Sequence, residues 1–298
     1  RTAASRGRME GAPNPFQKAE RRRDKLKIGL QGPGGSGKTE GALNLATQML
    51  ACLAKHGMVT PREGPSIALI DTENDTASLY ADRFEFDTVT LAPPYTSERY
   101  IALMKAAAAM GYQILIVDSL SHQWSGEDGI LQRKEQTDAR GGNHFTNWAP
   151  FTKEHNEFVS TLLNLPIHVI GTLRTKVIYE VTETGGRNNK GTVKKIGTAP
   201  ITREGLDYEF SLVLELQLDN RALPGKDRTG LFPPGKSTPL DLRNAGAVAD
   251  RLVDWLAKGG KEIDPPAAGT GAAFPRVPSS PAPEAEIAAL RTVLAKPC

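Results

Sequence analysis

Cysteine is almost missing from this 298-residue chain: Cys52 and Cys298 are too few, and too far apart in sequence, for a disulfide framework or a thiolate metal site. No apolar run approaches the ~20 residues that cross a bilayer. The N-terminus is basic and polar where a signal peptide would carry an apolar core. These absences predict a soluble, cytoplasmic chain with no membrane contact. Net charge is scarce too, at +3, and alone argues neither for nor against a polyanionic partner. What is present excludes wholesale disorder. With 39% hydrophobic and 24% charged residues, the chain is long enough for a substantial core, as one large domain or two small ones.

The charge is unevenly spread. Residues 1–26 carry eight basic side chains against three acidic ones, with few large apolar residues, and read as a flexible basic arm. Residues 172–205 carry seven basic against three acidic. Between and beyond, buried-strand patterns alternate with helical ones. Strands are expected at Lys27 to Gln31, Ile67 to Asp71, Thr88 to Leu91, Gln113 to Asp118 and Ile167 to Thr172. Helices are expected at Lys38 to Lys55, from Ala77 to Arg83, from Ser97 to Met110 and from Trp148 to Asn164. That alternation predicts an α/β fold, a mainly parallel twisted sheet with helices on both faces. Residues 177–200, rich in Gly, Asn, Thr and Lys, read as a long loop or loose hairpin. Further strands are expected at Glu209 to Leu216 and near Gly230 to Phe232, and a last helix from Ala245 to Leu256. The core thus spans 27–258. Residues 259–283 form a Pro/Ala/Gly-rich linker, and 284–298 a short helix or truncated segment. A chain that starts on Arg1 and not Met reads as a fragment.

The strongest local signal is Gly32-Pro33-Gly34-Gly35-Ser36-Gly37-Lys38-Thr39, a full G-x-x-x-x-G-K-T between an expected strand and helix. Such glycines let backbone N–H groups turn toward a phosphate, and the helix start adds its positive end. Lys38 can then reach the β- and γ-phosphates of ATP, and the Thr39 hydroxyl can hold Mg²⁺. A phosphate loop of this kind works with an acid at another strand end, and Asp118, closing Ile114-Leu115-Ile116-Val117, supplies it as an organiser of the Mg²⁺ shell. A second strand, Ile67 to Asp71, delivers Asp71 and Glu73 to the same sheet edge. Glu73 is the candidate for orienting or deprotonating water, with Asp71 in support. The alternative is that these acids solvate a loop or cap the helix at Ala77.

The segments LQGPGGSGKT, LIDTEND and ILIVDSLSHQW resemble, in type and order, the RecA/recombinase-core P-loop ATPases. With GTLRTKVIYE, KIGTAPITREGLDYEF and GKDRTGL, the chain from Lys27 to Trp255 is similar to phage-encoded proteins carrying only a RecA core, among them the Sak-type single-strand annealing proteins. The resemblance implies a RecA-like P-loop NTPase, a Mg²⁺-dependent and DNA-stimulated ATPase that assembles as a ring or filament on single-stranded DNA in recombination, annealing or replication. It maps the catalytic glutamate onto Glu73. Two positions depart from the related patterns. Ser119 follows Asp118 where AAA+ ATPases place a Glu, and Thr172 stands where RecA proteins usually have a sensor Gln.

Arg174 and Lys176 lie just past that strand end, and Arg187, Lys190, Lys194 and Lys195 follow in a Gly/Asn-rich stretch suited to a phosphate backbone; a solvated surface hairpin is the alternative. Tyr179 either stacks on a base or packs on the sheet. In the resembled family, basic residues on a subunit's far side reach the neighbour's γ-phosphate. Lys194, Lys195, Arg203, Lys226 and Arg228 are the candidates for that trans role. Lys226 and Arg228 are expected at the C-terminal side of the sheet, and the alternative for them is a salt bridge to Asp227 or Glu215. His122 has no second ligand at helical spacing and does not read as a metal ligand; Trp124 and Trp148 fit core aromatics. Two other functions share the phosphate loop: a small-molecule kinase, with 177–200 as its lid, and a nucleotide-gated loader or adaptor that recruits a partner through its tail.

Overall fold

The computed structural model describes residues 18–19, 21, 23–60, 62–182 and 192–259, with only the backbone for 179–182 and 192–196. Residues 1–17, 20 and 22, on which most of the expected arm falls, and residues 260 onward, on which the expected linker and C-terminal segment fall, lie outside the described residues. Arg21 rests over the Trp255 ring, 4.2 Å from its centroid, and Leu26 is buried, so the described end of the basic segment packs on the core.

The chain runs β1 (Lys27–Gly32), α1 (Lys38–Lys55), β2 (Ile67–Asp71), a 3-10 turn (Thr76–Tyr80), β3 (Asp87–Thr90), α2 (Ser97–Ala109), β4 (Ile114–Asp118), α3 (Ser121–Ser125) and α4 (Ile130–Ala139). It continues through α5 (Trp148–Asn164), β5 (His168–Thr182), β6 (Thr192–Pro200), α6 (Leu206–Glu209), β7 (Leu212–Leu216), β8 (Arg221–Asp227), β9 (Leu240–Asp241) and α7 (Gly246–Ala257). The nine described strands form one sheet in the order β3-β2-β4-β5-β1-β7-β8-β9, with β6 paired to β5. Every pairing from β3 through β7 is parallel; β6, β8 and β9 are antiparallel additions.

Strand periodicity divides the core into two. Ile28, Leu30, Ile67, Leu69, Ile114, Ile116, Ile170, Leu212 and Leu214 face one cluster with α1 and α7. The residues between them, among them Ala68, Ile70, Leu115, Val117, Val169 and Val213, face a second cluster with α2 and α5. Alternate residues of a strand point to opposite faces, so a sheet apolar on both sides must be covered on both. The expected α/β sandwich is the observed one. α1 closes where Gly57 takes φ 65°, with Met58 N–H donating to the Leu53 carbonyl and Gly57 N–H to that of Ala54.

Several elements differ from the sequence reading. β5 does not stop at Thr172 but runs ten residues further, pairing with β6 from Thr175↔Pro200 to Thr182↔Thr192, so the basic stretch is an antiparallel hairpin whose strands shift register at Ile178/Tyr179. Gly230 to Phe232 is not a strand: the antiparallel return is Arg221–Asp227, turned back by Asn220 at φ 64°, while Phe232 is buried with its N–H on Asp227 Oδ2 at 2.6 Å. Leu206–Glu209 is a short helix before β7, and the polar helix α4 carries too little apolar periodicity to stand out.

Candidate functional site

Parallel pairing brings the chemistry to one edge. Gly32 ends β1 opposite Arg174 of β5, and Asp71 ends β2 opposite Asp118 of β4. The loop from Gly32 to Thr39 therefore opens between strands whose carboxyl ends hold the acids, where ligands bind in open parallel sheets.

The loop is seated from behind by the β7–β8 side. A Cβ on Gly32 would lie 2.7 Å from the Leu216 carbonyl oxygen. One on Gly37, which caps α1 at φ 78°, would meet Asn220 Oδ1 at 2.4 Å. Both positions need glycine, for space at the first and for backbone conformation as well at the second. Ser36 is buried, with its hydroxyl donating to the Pro33 carbonyl at 2.9 Å. Lys38 Nζ donates to the carbonyls of Gly32 (3.0 Å) and Pro33 (2.8 Å). Burial lowers the pKa of this ammonium below the usual lysine range; Asp118 and Glu73 oppose that shift and Arg174 adds to it. All three charges therefore act on the loop lysine.

Asp118 is 2% exposed and sits between two hydroxyls: Thr39 donates to Oδ2 and Thr172 to Oδ1, each at 2.5 Å. Burial pushes this carboxyl above its ordinary range, and the two hydroxyls pull it back. The donor set of hydroxyl and carboxylate oxygens suits Mg²⁺. Thr39 and Asp118 are the residues that would hold it, and when bound it would supply charge neutralisation to the phosphates. Among the described residues no group of three or more His, Cys, Asp or Glu side chains forms another candidate metal centre.

The second pair of acids divides. Asp71 is 1% exposed and takes the N–H of Glu73 on Oδ1 (2.6 Å) and that of Ala77 on Oδ2 (2.8 Å), so it holds the Glu73 backbone in the turn after β2 and also caps the segment at Ala77, the alternative left open for it. Glu73 is partly exposed and both its oxygens accept from Arg174: Nε to Oε1 at 2.8 Å, and Nη2 to Oε2.

The remaining basic candidates spread out. Lys176 is exposed at the foot of the hairpin. Lys194 and Lys195 pair through their backbones with Glu180 and Tyr179, while Arg187 and Lys190 lie outside the described residues. Arg203 is turned to α5, its Nη2 on Thr152 Oγ1 at 3.2 Å. Lys226 and Arg228 are not at the C-terminal edge as the sequence reading placed them. β8 runs antiparallel to β7, with Asp227 opposite Leu212, which carries them to the opposite edge from the phosphate loop. There both donate to the Tyr208 carbonyl, and neither makes a described ion pair to Asp227 or Glu215.

A cluster behind Asp118 had no sequence signal, because its members are far apart in the chain. Thr72 Oγ1 accepts from Ser119 N–H at 2.8 Å and lies 2.7 Å from His122 Nδ1. His122 in turn stacks on Tyr95 at 4.9 Å. Burial, then Arg174, lowers the His122 pKa, which favours the neutral ring. Trp124 and Trp148, expected in the core, stack on each other at 6.0 Å, half-buried.

A family model described as "AAA domain" matches residues 24–239. The chain belongs to this family, which places it among the nucleotide-binding P-loop ATPases. No curated protein matches the chain.

Proposed function

We propose that the protein hydrolyses ATP with Mg²⁺ and couples that cycle to single-stranded DNA, as a self-assembling RecA-like ATPase of phage-type recombination, annealing or replication. The observation that carries the ATPase reading is the convergence, at one sheet edge, of the Gly32–Thr39 loop, the Thr39–Asp118 pair and Glu73. Lys38 and the loop N–H groups bind the phosphates, Thr39 and Asp118 hold the metal's ligand sphere, and Glu73 orients the attacking water. The DNA reading is supported by where the basic hairpin starts: β5 passes Gly32 and leaves the sheet directly into it, so a polyanion on the hairpin would sit within two residues of Arg174. Self-assembly is supported by Lys226 and Arg228, which stand on the edge a neighbour's phosphate loop would face in a head-to-tail stack.

The test is ATP turnover with and without oligo(dT), with particle size recorded on the same samples. Phosphate release that rises with oligo(dT) is the expected result. Transfer of the γ-phosphate to a small-molecule acceptor would make the protein a kinase, and tight ATP binding with negligible turnover a nucleotide-gated adaptor.

A further inference from the structure

Glu73 gives both carboxylate oxygens to one side chain that lies 101 residues away in sequence. The pair reaches across β4: Glu73 follows β2, Arg174 belongs to β5, and β4 between them carries Asp118. Arg174 is also a junction. It is the last residue of β5 in register with β1, and from Thr175 onward the strand pairs with β6. One guanidinium therefore ties the proposed water-orienting carboxylate to the foot of the hairpin.

This arrangement has a chemical consequence. A carboxylate that accepts from both arms of a guanidinium has its best acceptor directions committed, and orienting a water for attack needs one of them. The tie is also easily exchanged. The Arg174 side chain is 44% exposed, and an ion pair that open contributes little. The planar fork of an arginine fits a phosphate as well as it fits a carboxylate. Lys176, two residues on along the strand, points to the same side as Arg174 and is exposed, so a polyanion attracted there meets both cations.

We infer that Arg174 is a clamp on Glu73: a positioning residue that keeps the carboxylate unproductive until the phosphates of a polynucleotide on the hairpin draw the guanidinium away. The inference rests on the reading of Glu73 as the water-orienting base. It makes stimulation by nucleic acid a swap of one ion pair for another, with no rearrangement of the sheet.

Steady-state ATP turnover, with and without oligo(dT), tests it on the full chain, on Arg174→Ala, on Glu73→Gln and on the double variant. Binding of a fluorescent ATP analogue shows that each variant is folded. Arg174→Ala is expected to raise kcat without oligo(dT) by up to about 5-fold, the scale of an exposed ion pair. Its KM for ATP should stay at the parental value, and further stimulation by oligo(dT) should be lost. On the Glu73→Gln background the same change should do nothing, which a merely structural arginine would not produce. Arg174→Lys, which keeps the charge without the fork, should clamp only in part. A fall in kcat on Arg174→Ala overturns the clamp and makes Arg174 a ligand of the nucleotide's own phosphates. An unchanged kcat with intact stimulation also overturns it. Parental turnover in Glu73→Gln instead removes the base assignment itself, and the clamp with it, whatever Arg174 does.

Discussion

Thr172 donates its hydroxyl hydrogen to Asp118 Oδ1 at 2.5 Å from the neighbouring strand, at the position where the resembled recombinases usually carry a sensor glutamine. The hydroxyl is used inward, on the acid that would organise the metal, and cannot at the same time donate to a phosphate.

That contact can be weighed. Thr172→Val keeps the shape of the side chain and removes one of two hydroxyl donors from a carboxylate that is 2% exposed. Leaving a buried acceptor short of a partner costs about 1–3 kcal/mol. The variant should lose that much stability in urea without Mg²⁺, and Thr172→Ser should recover most of it. Equal stability of Val and wild type would mean that Thr39 alone suffices.

Lys38→Ala removes the cation of the phosphate loop. Its Nζ contacts are carbonyls of the same loop, so the fold should survive. ATP affinity should fall about 10- to 100-fold, the scale of charge-assisted hydrogen bonds lost. Calorimetric titration with ATP and Mg²⁺ measures it, and parental affinity would place the nucleotide elsewhere.

The parallel sheet and its loop were legible because burial writes a pattern into sequence. Strands covered on both faces read as unbroken apolar runs, such as Ile114 to Val117, and the glycine-rich turn before Lys38 has one chemistry. The hairpin was legible only as one of two readings of residues 177–200, and β8 was not legible, since strands toward a sheet's edge need no such run and Pro224 and Gly225 interrupt it. Asp71 stayed open between supporting Glu73 and capping the segment at Ala77, because a carboxylate at a strand end has the same letter whether it caps N–H groups or faces a substrate. Nor does spacing reveal that Arg174 meets Glu73, or that Asn220 backs Gly37, because those contacts follow from strand order alone.

Lys27 predicts a pH dependence of stability. It is 4% exposed, with Nζ on the carbonyls of Leu165 (2.8 Å) and Ile167 (2.7 Å), and burial pulls its pKa from 10.5 down to about 7. Between pH 7 and 10.5 the unfolded chain holds this proton more firmly than the folded one, so unfolding takes up protons and stability rises with pH. The slope is at most about 1.4 kcal/mol per pH unit. Cys52 acts the other way above pH 9, because the folded state raises its thiol from 9.0 to about 11. The window from pH 7 to 9 is therefore free of Cys52, while Lys38 and Lys226, whose pKa values burial also lowers, add slopes of the same sign. Urea midpoints should climb across it more steeply for the parent than for Lys27→Met; equal slopes would mean that Lys27 stays charged when folded.

Lys226 and Arg228 allow the proposed assembly to be tested by mixing. Both donate to the Tyr208 carbonyl at the edge opposite the phosphate loop, too far round the sheet to serve the loop of their own chain. In a head-to-tail stack, that edge of one copy faces the next copy's site, and a heterologous interface of this kind repeats in every pair. The Lys226→Ala, Arg228→Ala double variant then keeps a sound phosphate loop but lacks cations to offer its neighbour. Lys38→Ala has the reverse defect. Each alone should be inactive. Mixed one to one, a site works only where an intact loop meets an intact edge, so activity should return to about a quarter of the parental rate. Melting curves check that losing the Tyr208 contacts leaves the double variant folded. A folded double variant with full activity on its own would leave Lys226 and Arg228 as braces for Tyr208. A dead mixture of two folded variants would mean that they act, if at all, within their own chain.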